Sequence, residues 1–222
     1  MDNFSYTTFV WTKTYLESII FEGKHRIIND PYVIEGFKSV DRGHFVPDKY
    51  RAITYEDKDI DIGFGQKIYK PTTSAQLISF LSPRPGGNYL VVGAGTGYLS
   101  AILGAITGSK GSVVALERIL IILDLFRKNF ENYPSLQKIV EPVFKDGVEG
   151  YASAAPYDGI LYTVALDQNP IQVISQLKVN GKIVAPRDDG SIRILNRVDN
   201  TNWNEQVFNS PLFFDKLMKG IE

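Results

Sequence analysis

Three glycines alternate in Gly93-Ala94-Gly95-Thr96-Gly97, directly after an apolar run that predicts a strand and directly before a predicted helix. Glycine permits a tight turn and close approach of the main chain to a ligand, and the free N–H groups of a helix start face that ligand. A dinucleotide fingerprint requires a third glycine at the position of Tyr98. The loop therefore favours another nucleotide-like ligand, with a plain strand–helix turn as the structural alternative.

Two acidic side chains follow at the ends of later predicted strands. Glu117 ends the second strand, where a carboxylate can accept hydrogen bonds from both ribose hydroxyls of an adenosine. Asp146-Gly147 follows the third strand, at the same edge of the predicted sheet. An acid at a helix start and an Asp-Gly turn are the ordinary structural explanations. Because open sheets bind ligands at this edge, the three features together predict an adenosine site.

The elements that position these residues alternate between strand and helix. Apolar runs without polar alternation are typical of strands buried on both faces. Strands are predicted at residues 89–92, 112–116, 139–144, 159–163 and 182–185, with a final antiparallel pair at 192–198 and 206–214. Helical spacing is found at residues 99–106, 119–130 and 170–177. The pattern predicts an α/β, Rossmann-like fold with a doubly wound, mostly parallel sheet and antiparallel C-terminal strands.

The N-terminal part has a different character, because helical patterns alternate there with irregular stretches. Leu16, Ile19 and Ile20 share one helix face, and Thr73-Ser74-Ala75-Gln76 predicts a capping box that opens a short helix. A Pro/Gly-rich turn at residues 82–87 separates this part from the alternating pattern. We therefore predict an N-terminal helical and irregular subdomain at 1–82 and a Rossmann-like domain at 83–222, within one compact unit.

Composition excludes several kinds of chemistry. The chain of 222 residues has a net charge of -1, no cysteine and two histidines. Disulfides, thiol nucleophiles and Cys-based metal sites are thereby excluded, and we predict no metal site. The near-neutral charge and the absence of a long apolar stretch predict no nucleic-acid or membrane partner. The lack of cysteine fits a cytoplasmic location. The oligomeric state is left open.

Sequence words along most of the chain resemble those of the protein-L-isoaspartate O-methyltransferase family, which uses S-adenosyl-L-methionine (SAM). The glycine loop, Glu117 and the Asp146-Gly147 word resemble its cofactor half. The stretch from Ile62 to Pro71 contains the most family-specific word, Gly-x-Gly-Gln-x-Ile followed by proline. Further matching words stand in order at residues 45–47, 148–150, 155–158, 176–178 and 181–186.

The resemblance implies methyl transfer from SAM to the carboxylate of L-isoaspartyl residues in damaged proteins or peptides, a repair reaction that releases S-adenosyl-L-homocysteine. The implied acceptor contacts are Gly65, Gln66 and Ile68, with Tyr69 or Thr72 orienting the carboxylate. An N-terminal subdomain that covers the acceptor cleft is also implied. The implied cofactor contacts are Gly93, Ala94, Gly95, Gly97, Tyr98, Leu99, Glu117, Arg118, Asp146 and Gly147.

Departures from the family pattern cluster where cofactor and acceptor meet. The family reads Gly-Gln-Thr-Ile-Ser-Gln-Pro where this chain has Gly65 to Pro71, so Tyr69 replaces the serine that orients the acceptor. Lys67 and Lys70, in the same word, could attract an acidic acceptor, and two solvated side chains are the favoured alternative. Val91 stands in the first strand where the family has an acid that supports the glycine loop. Lys145 and the polar run at 166–170 also depart from the pattern.

These departures leave four functions open. The leading one is isoaspartyl carboxyl methylation, and a diverged family member acting on another acceptor is a variant of it. A noncatalytic interaction protein that keeps the fold is the second, favoured by Val91 and Tyr69. A nucleic-acid methyltransferase is disfavoured by the neutral charge and the missing cysteine. An NAD-dependent oxidoreductase is disfavoured by Tyr98, and cofactor retained on purification would separate it from the others.

Overall fold

A computed structural model describes residues 28–209 and 214–222. The helix predicted around Leu16, Ile19 and Ile20 lies outside the described residues, as do residues 210–213 of the last predicted strand. The described elements begin with helix α1 (Pro31–Ser39), followed by two short 3₁₀ turns (Arg42–Phe45 and Asp48–Ile53). A two-stranded hairpin of β1 (Ile60–Gly63) and β2 (Gln66–Ile68) leads into helix α2 (Pro71–Leu81).

The large sheet has seven strands in the order β5-β4-β3-β6-β7-β8-β9. The first five strands of this order run parallel to one another. Strand β8 pairs antiparallel with β7, and β9 pairs antiparallel with β8. The predicted fold class is therefore confirmed. The strands are β3 (Asn88–Val92), β4 (Ser112–Glu117), β5 (Val140–Phe144), β6 (Tyr157–Tyr162), β7 (Leu177–Pro186), β8 (Ser191–Arg197) and β9 (Trp203–Asn209).

Both faces of the central strands are buried, which explains their uninterrupted apolar sequences. In β3, Tyr89 and Val91 face the larger apolar cluster, while Leu90 and Val92 face a second cluster on the opposite side. Helices α2, α3 (Tyr98–Thr107) and α4 (Leu120–Asn129) contribute to the larger cluster. The short helix α5 (Ile171–Ile174) contributes to the second. Burial on both faces removes nearly all freedom of register, since a slip of one residue would exchange the two faces.

Three local predictions were wrong in detail. The helix predicted at residues 170–177 is limited to α5, because Leu177 already pairs with Tyr157 in the sheet. The strand predicted at 182–185 lies in the C-terminal half of the longer β7. The capping box predicted at Thr73 does not open α2, which begins at Pro71 after Lys70 without a local side-chain cap.

Arg42 holds the N-terminal segments together in place of a regular hydrogen-bond ladder. Its side chain is 2% exposed. One terminal nitrogen donates to the Thr54 carbonyl, and the other donates to the carbonyls of Lys58 and Tyr69, at 3.2 and 3.1 Å. Burial lowers the pKa of the guanidinium, opposed by nearby tyrosines and aspartates. One side chain thereby fixes the hairpin and the residue that follows it against the 3₁₀ turns.

Candidate functional site

The glycine loop lies beyond β3, at the point where the strand order reverses between β3 and β6. Gly93 and Ala94 donate their N–H groups to the Leu116 carbonyl at 3.0 and 2.9 Å, which ties the loop to β4. Gly97 caps α3 with a φ of 98°, and a Cβ there would lie 2.8 Å from the rings of Phe126 and Phe130. A side chain at this position is therefore excluded both by backbone conformation and by space.

Glu117 supports this loop from the end of β4. Its side chain is buried, and one carboxylate oxygen accepts the Gly95 N–H at 2.9 Å. The other oxygen accepts the N–H groups of Arg118 and Ile119, at 2.8 and 2.9 Å. The predicted ribose-binding carboxylate thus stands beside the loop, and it also orders the start of α4.

Side chains from other elements support the glycine loop, where the family has an acid at the position of Val91. Val91 is fully buried in the larger apolar cluster and offers the loop no polar contact. The hydroxyl of Thr163, directly after β6, lies within hydrogen-bond distance of the Val92 and Gly93 carbonyls. Asn129 donates to the Thr96 carbonyl at 3.0 Å. Thr163 was not among the predicted site residues, although its place after an apolar strand at this edge was a usable signal.

Asp146 contacts a segment that is far away in sequence. One oxygen accepts the Val148 N–H at 2.9 Å, and the other accepts the Gly220 N–H at 2.6 Å. Gly147 lines the cleft beside it. The predicted adenine-side word is therefore at the expected edge, and it is engaged by residues 214–222, which we call the C-terminal strap.

The C-terminal strap crosses the carboxyl ends of three strands. Beside β6, the Ala165 N–H donates to the Asp215 carbonyl at 2.6 Å, and Leu217 donates back to Ala165 at 2.8 Å. After β5 the strap donates from Gly220 to Asp146. After β4, Glu222 donates its N–H to the Arg118 carbonyl at 2.7 Å, and its carboxylate meets the Arg118 guanidinium at 2.7 Å.

The cleft between strap, glycine loop and hairpin has two compartments. The outer compartment encloses about 50 Å³ and is bounded by the strap, Glu117, Arg118 and Gly147. The inner compartment is bounded by Ile68 and the helix α3 residues Tyr98 and Leu99, among others. Residues that line both compartments mark their junction: Ile62, Lys67, Tyr69, Gly93, Gly95 and Thr163.

The predicted acceptor residues are distributed unevenly around this cleft. Gln66 lines the outer compartment and Ile68 the inner one, whereas Gly65 lies at the hairpin tip with a φ of 68°. Thr72 lines neither compartment. Its N–H and hydroxyl both bond the Asp57 carboxylate, at 2.9 and 2.8 Å, so Asp57 caps helix α2 from across the loop. The structure thus brings Tyr69 to the junction and leaves Thr72 outside it.

Tyr69 presents a neutral phenol to the junction. Its side chain is 7% exposed, and burial raises the pKa of the hydroxyl above its usual value. The phenol oxygen accepts the N–H of Asp215 in the strap at 3.2 Å, while the ring packs edge-on against Phe214. Since the oxygen is the acceptor in this bond, the O–H proton is available for a second partner.

The donors and acceptors around the outer compartment fit an adenosine-bearing ligand. The Glu117 oxygen that accepts from Gly95 makes one hydrogen bond and keeps acceptor capacity for a hydroxyl. Among the residues that the structure describes, Arg118, which lines the outer compartment, has one buried nitrogen without a hydrogen-bond partner, and the buried hydroxyl of Thr96, which lines the inner compartment, also lacks one.

Comparison with known proteins identifies the relatives of this arrangement. The sequence pattern of the protein-L-isoaspartate(D-aspartate) O-methyltransferase family matches residues 16–212. A protein-L-isoaspartate O-methyltransferase of Methanospirillum hungatei is 36% identical over 182 residues, which cover 82% of each chain. One from Staphylothermus marinus is 35% identical over 186 residues, again with 82% of each chain covered.

A solved structure shows the same fold at lower sequence identity. It is a Plasmodium falciparum protein described as a protein-L-isoaspartate O-methyltransferase, in complex with S-adenosyl-L-homocysteine. The two chains match with a TM-score of 0.80 at 22% identity, over 94% of this chain and 99% of the other. Within residues 28–209 and 214–222, helices long and apolar enough to cross a bilayer are absent.

Proposed function

Because the chain belongs to the protein-L-isoaspartate(D-aspartate) O-methyltransferase family, we propose that it methylates the α-carboxylate of isoaspartyl residues in damaged proteins and peptides. The family predicted from the sequence words is confirmed, and the cofactor is SAM. A methyl ester makes the carboxyl group reactive toward the neighbouring main-chain nitrogen. That nitrogen displaces methanol from the ester, and water reopens the resulting succinimide partly to normal aspartate, which is the repair.

In this proposal the glycine loop and the ends of β4 and β5 hold the cofactor. Glu117 accepts the ribose hydroxyls through the oxygen that now bonds Gly95 alone. Asp146 and Gly147 lie on the adenine side, next to Arg118. Tyr98 and Leu99, at the start of α3, form the wall of the inner compartment. SAM supplies an electrophilic methyl group on a sulfonium ion. The further proposed cofactor contacts are Gly93, Ala94, Gly95 and Gly97.

The acceptor requires placement rather than activation. A carboxyl group with an ordinary pKa near 4 is already ionised at neutral pH, so no strong base is needed. What the protein contributes is orientation and the exclusion of water. Tyr69 does both in our proposal, because its buried ring fills the junction and its O–H donates to one acceptor oxygen. Gln66 and Ile68 form the adjoining walls, and Gly65 lies at the rim.

The single observation that carries this assignment is the hydrogen bond from the Asp215 N–H to the Tyr69 oxygen. It fixes the phenol at the junction of the two compartments and leaves the hydroxyl proton to donate. A serine, with its much shorter side chain, stands here in the family pattern. The larger phenol is accommodated because the strap supplies both the anchoring N–H and the ring contact from Phe214.

The proposal extends to partners and organisation. We propose that the acceptors are proteins and peptides and not nucleic acids, on the basis of the near-neutral charge of -1. We also propose a cytoplasmic location, which the absence of cysteine supports. The division at residue 82 into an acceptor-covering subdomain and a cofactor domain belongs to the same proposal.

Methyl transfer from radiolabelled SAM to an isoaspartyl peptide tests the function directly, with the matching aspartyl peptide as control. We expect label in the isoaspartyl peptide alone. Label in neither peptide, from folded protein that binds S-adenosyl-L-homocysteine, would overturn the proposed acceptor. For Tyr69, the variants Tyr69→Phe and Tyr69→Ser are compared in the same assay. Unchanged methyl transfer and peptide affinity in both would exclude Tyr69 from the acceptor site.

A further inference from the structure

Lys67 lies at the junction of the two compartments without a close hydrogen-bonded partner. Its ammonium is 3.4 Å from the Asp59 carboxylate and 3.6 Å from that of Asp215. Both distances exceed the 2.7–2.9 Å typical of charge-assisted hydrogen bonds. By contrast, Lys178 meets Asp158 at 2.7 Å. Lys67 therefore forms two long ion pairs, and neither is a close charge-assisted hydrogen bond.

Lys67 is also unusually enclosed for a paired lysine. Its side chain is 24% exposed, against 36% for Lys70 and 60% or more for Lys49, Lys58 and Lys216. The ammonium lies 5.4 Å from the centre of the Tyr69 ring. Lys67 and Tyr69, which both line the two compartments and carry hydrogen-bond donors, are thus neighbours. A carboxylate at the junction would be within the reach of both.

The two acidic partners of Lys67 are held very differently. Asp59 is anchored, because its other oxygen accepts the Lys70 N–H at 2.8 Å. The Asp215 carboxylate, within the described part of the chain, pairs with Lys67 alone. The Asp215 main chain is fixed by its bonds to Tyr69 and Ala165. Its side chain can therefore turn away from Lys67 while its main chain continues to hold the phenol.

We propose that Lys67 is a binding residue for the acceptor carboxylate, and that the acceptor takes the place of the Asp215 carboxylate on Lys67. This inference rests on the proposed function. Before binding, Asp215 compensates a partly buried cation. On binding, the incoming carboxylate accepts an O–H from Tyr69 and an N–H from Lys67, and Asp215 rotates into solvent. Asp215 is thus a specificity-determining residue, because it excludes weaker anions that cannot displace it.

If the acceptor carboxylate replaces Asp215 on Lys67, removing the charge of Lys67 and removing the charge of Asp215 should change KM in opposite directions. Lys67→Met removes a charge-assisted donor and is expected to raise KM for the isoaspartyl peptide about tenfold, with kcat changed less than about twofold. Lys67→Arg keeps the charge and restores most of the affinity. Asp215→Asn removes the competing anion and is expected to lower KM about threefold, an order-of-magnitude figure for a partly exposed ion pair.

The double variant tests whether Asp215 acts through Lys67. If it does, Lys67→Met/Asp215→Asn has the KM of Lys67→Met, because the anion has no cation left to occupy. Lys70→Met is the matched control. Lys70 lies three residues further along, pairs with Asp57 at 3.9 Å and lines neither compartment, so its loss should leave KM unchanged.

A binding titration separates this inference from the proposed function. The dissociation constant of a fluorescent isoaspartyl peptide is measured with S-adenosyl-L-homocysteine present, together with the same peptide carrying an α-carboxamide. We expect Lys67→Met to weaken binding of the carboxylate peptide and to leave the carboxamide unaffected. Equal affinities in Lys67→Met and Lys70→Met, or weaker binding in Asp215→Asn, would overturn the exchange. Peptide binding without methylation in the parent protein would instead overturn the proposed function.

Discussion

The edge that holds the glycine loop and the hairpin that faces it are built in different ways. At the edge, main-chain bonds to Leu116 and the carboxylate of Glu117 fix the loop to strands buried on both faces. The hairpin and the residues after it depend on Arg42 and, at Tyr69, on the C-terminal strap. The edge is therefore determined by neighbours in the sheet, whereas the acceptor side is determined by contacts between distant parts of the chain.

The largest effect is expected from Arg42→Met, which breaks the acceptor side alone. It leaves three main-chain carbonyls without their donor, each costing about 1–3 kcal/mol when buried. We expect the free energy of unfolding to fall by about 3 kcal/mol or more, measured by urea denaturation. Arg84→Met, which removes an exposed pair with Asp30, is the control. An equal fall in the free energy of unfolding in both variants would show that the buried bonds of Arg42 stabilise the protein no more than an exposed ion pair.

A smaller effect, confined to the cofactor side, is expected from Glu117→Gln. Glutamine has one acceptor oxygen, so it can keep either the bond from Gly95 or the bonds from Arg118 and Ile119, and its NH₂ group faces the N–H groups on the other side. We expect binding of S-adenosyl-L-homocysteine, measured by calorimetry, to weaken about tenfold or more. Glu141→Gln, an exposed acid on β5, should bind normally. Full affinity in Glu117→Gln would mean that the edge is organised by other groups.

Tyr69→Phe should affect the acceptor side by about tenfold in kcat/KM for the isoaspartyl peptide, the value of one hydrogen bond to a charged group. Affinity for S-adenosyl-L-homocysteine should stay the same. Thr72→Val provides the matched control, because Thr72 caps α2 through Asp57 and lies outside the cleft. Its expected cost is about 1 kcal/mol of stability with normal kcat/KM. The reverse pattern would assign the acceptor contact to Thr72.

The smallest effect at neutral pH concerns the ionisation of Tyr69. Burial raises the pKa of Tyr69 in the folded protein above the ordinary value of about 10. Its contribution to stability is therefore fully present below pH 10 and is lost as the pH rises from 10 through the folded value. Denaturation at pH 8 and at higher pH should show a shallower alkaline decline in Tyr69→Phe than in the parent. Identical declines would mean that the phenol is not protected.

The sequence predicted the edge of the sheet better than the surface opposite it. The alternation of strands and helices and the places of Glu117 and Asp146 follow from local rules, because the carboxyl ends of parallel strands meet at one edge of the sheet. Thr163 could have been found by the same rule. Lys67, expected to be solvated, is instead enclosed at the junction. Its partner Asp215 lies in the strap, and the sequence around neither residue predicts that contact.

The helix boundaries show the same limit on a smaller scale. A Ser/Thr-x-x-Glu/Gln word normally opens a helix from within, and the sequence contains one at Thr73. The helix begins two residues earlier, because Asp57 satisfies the N–H of Thr72 from another segment. A local sequence pattern cannot predict a helix cap that comes from a distant segment of the chain. The proposed acceptor side of this molecule is assembled largely from such long-range contacts.

The C-terminal strap bears on how quickly the protein can turn over. The strap bounds one side of the outer compartment, and Glu117, Arg118 and Gly147 bound the other. We therefore expect cofactor exchange to be coupled to movement of the strap. Its contacts to Arg118, Asp146 and Ala165 are spaced along its length and can break one after another. We expect this stepwise opening to lengthen the residence time of the spent cofactor.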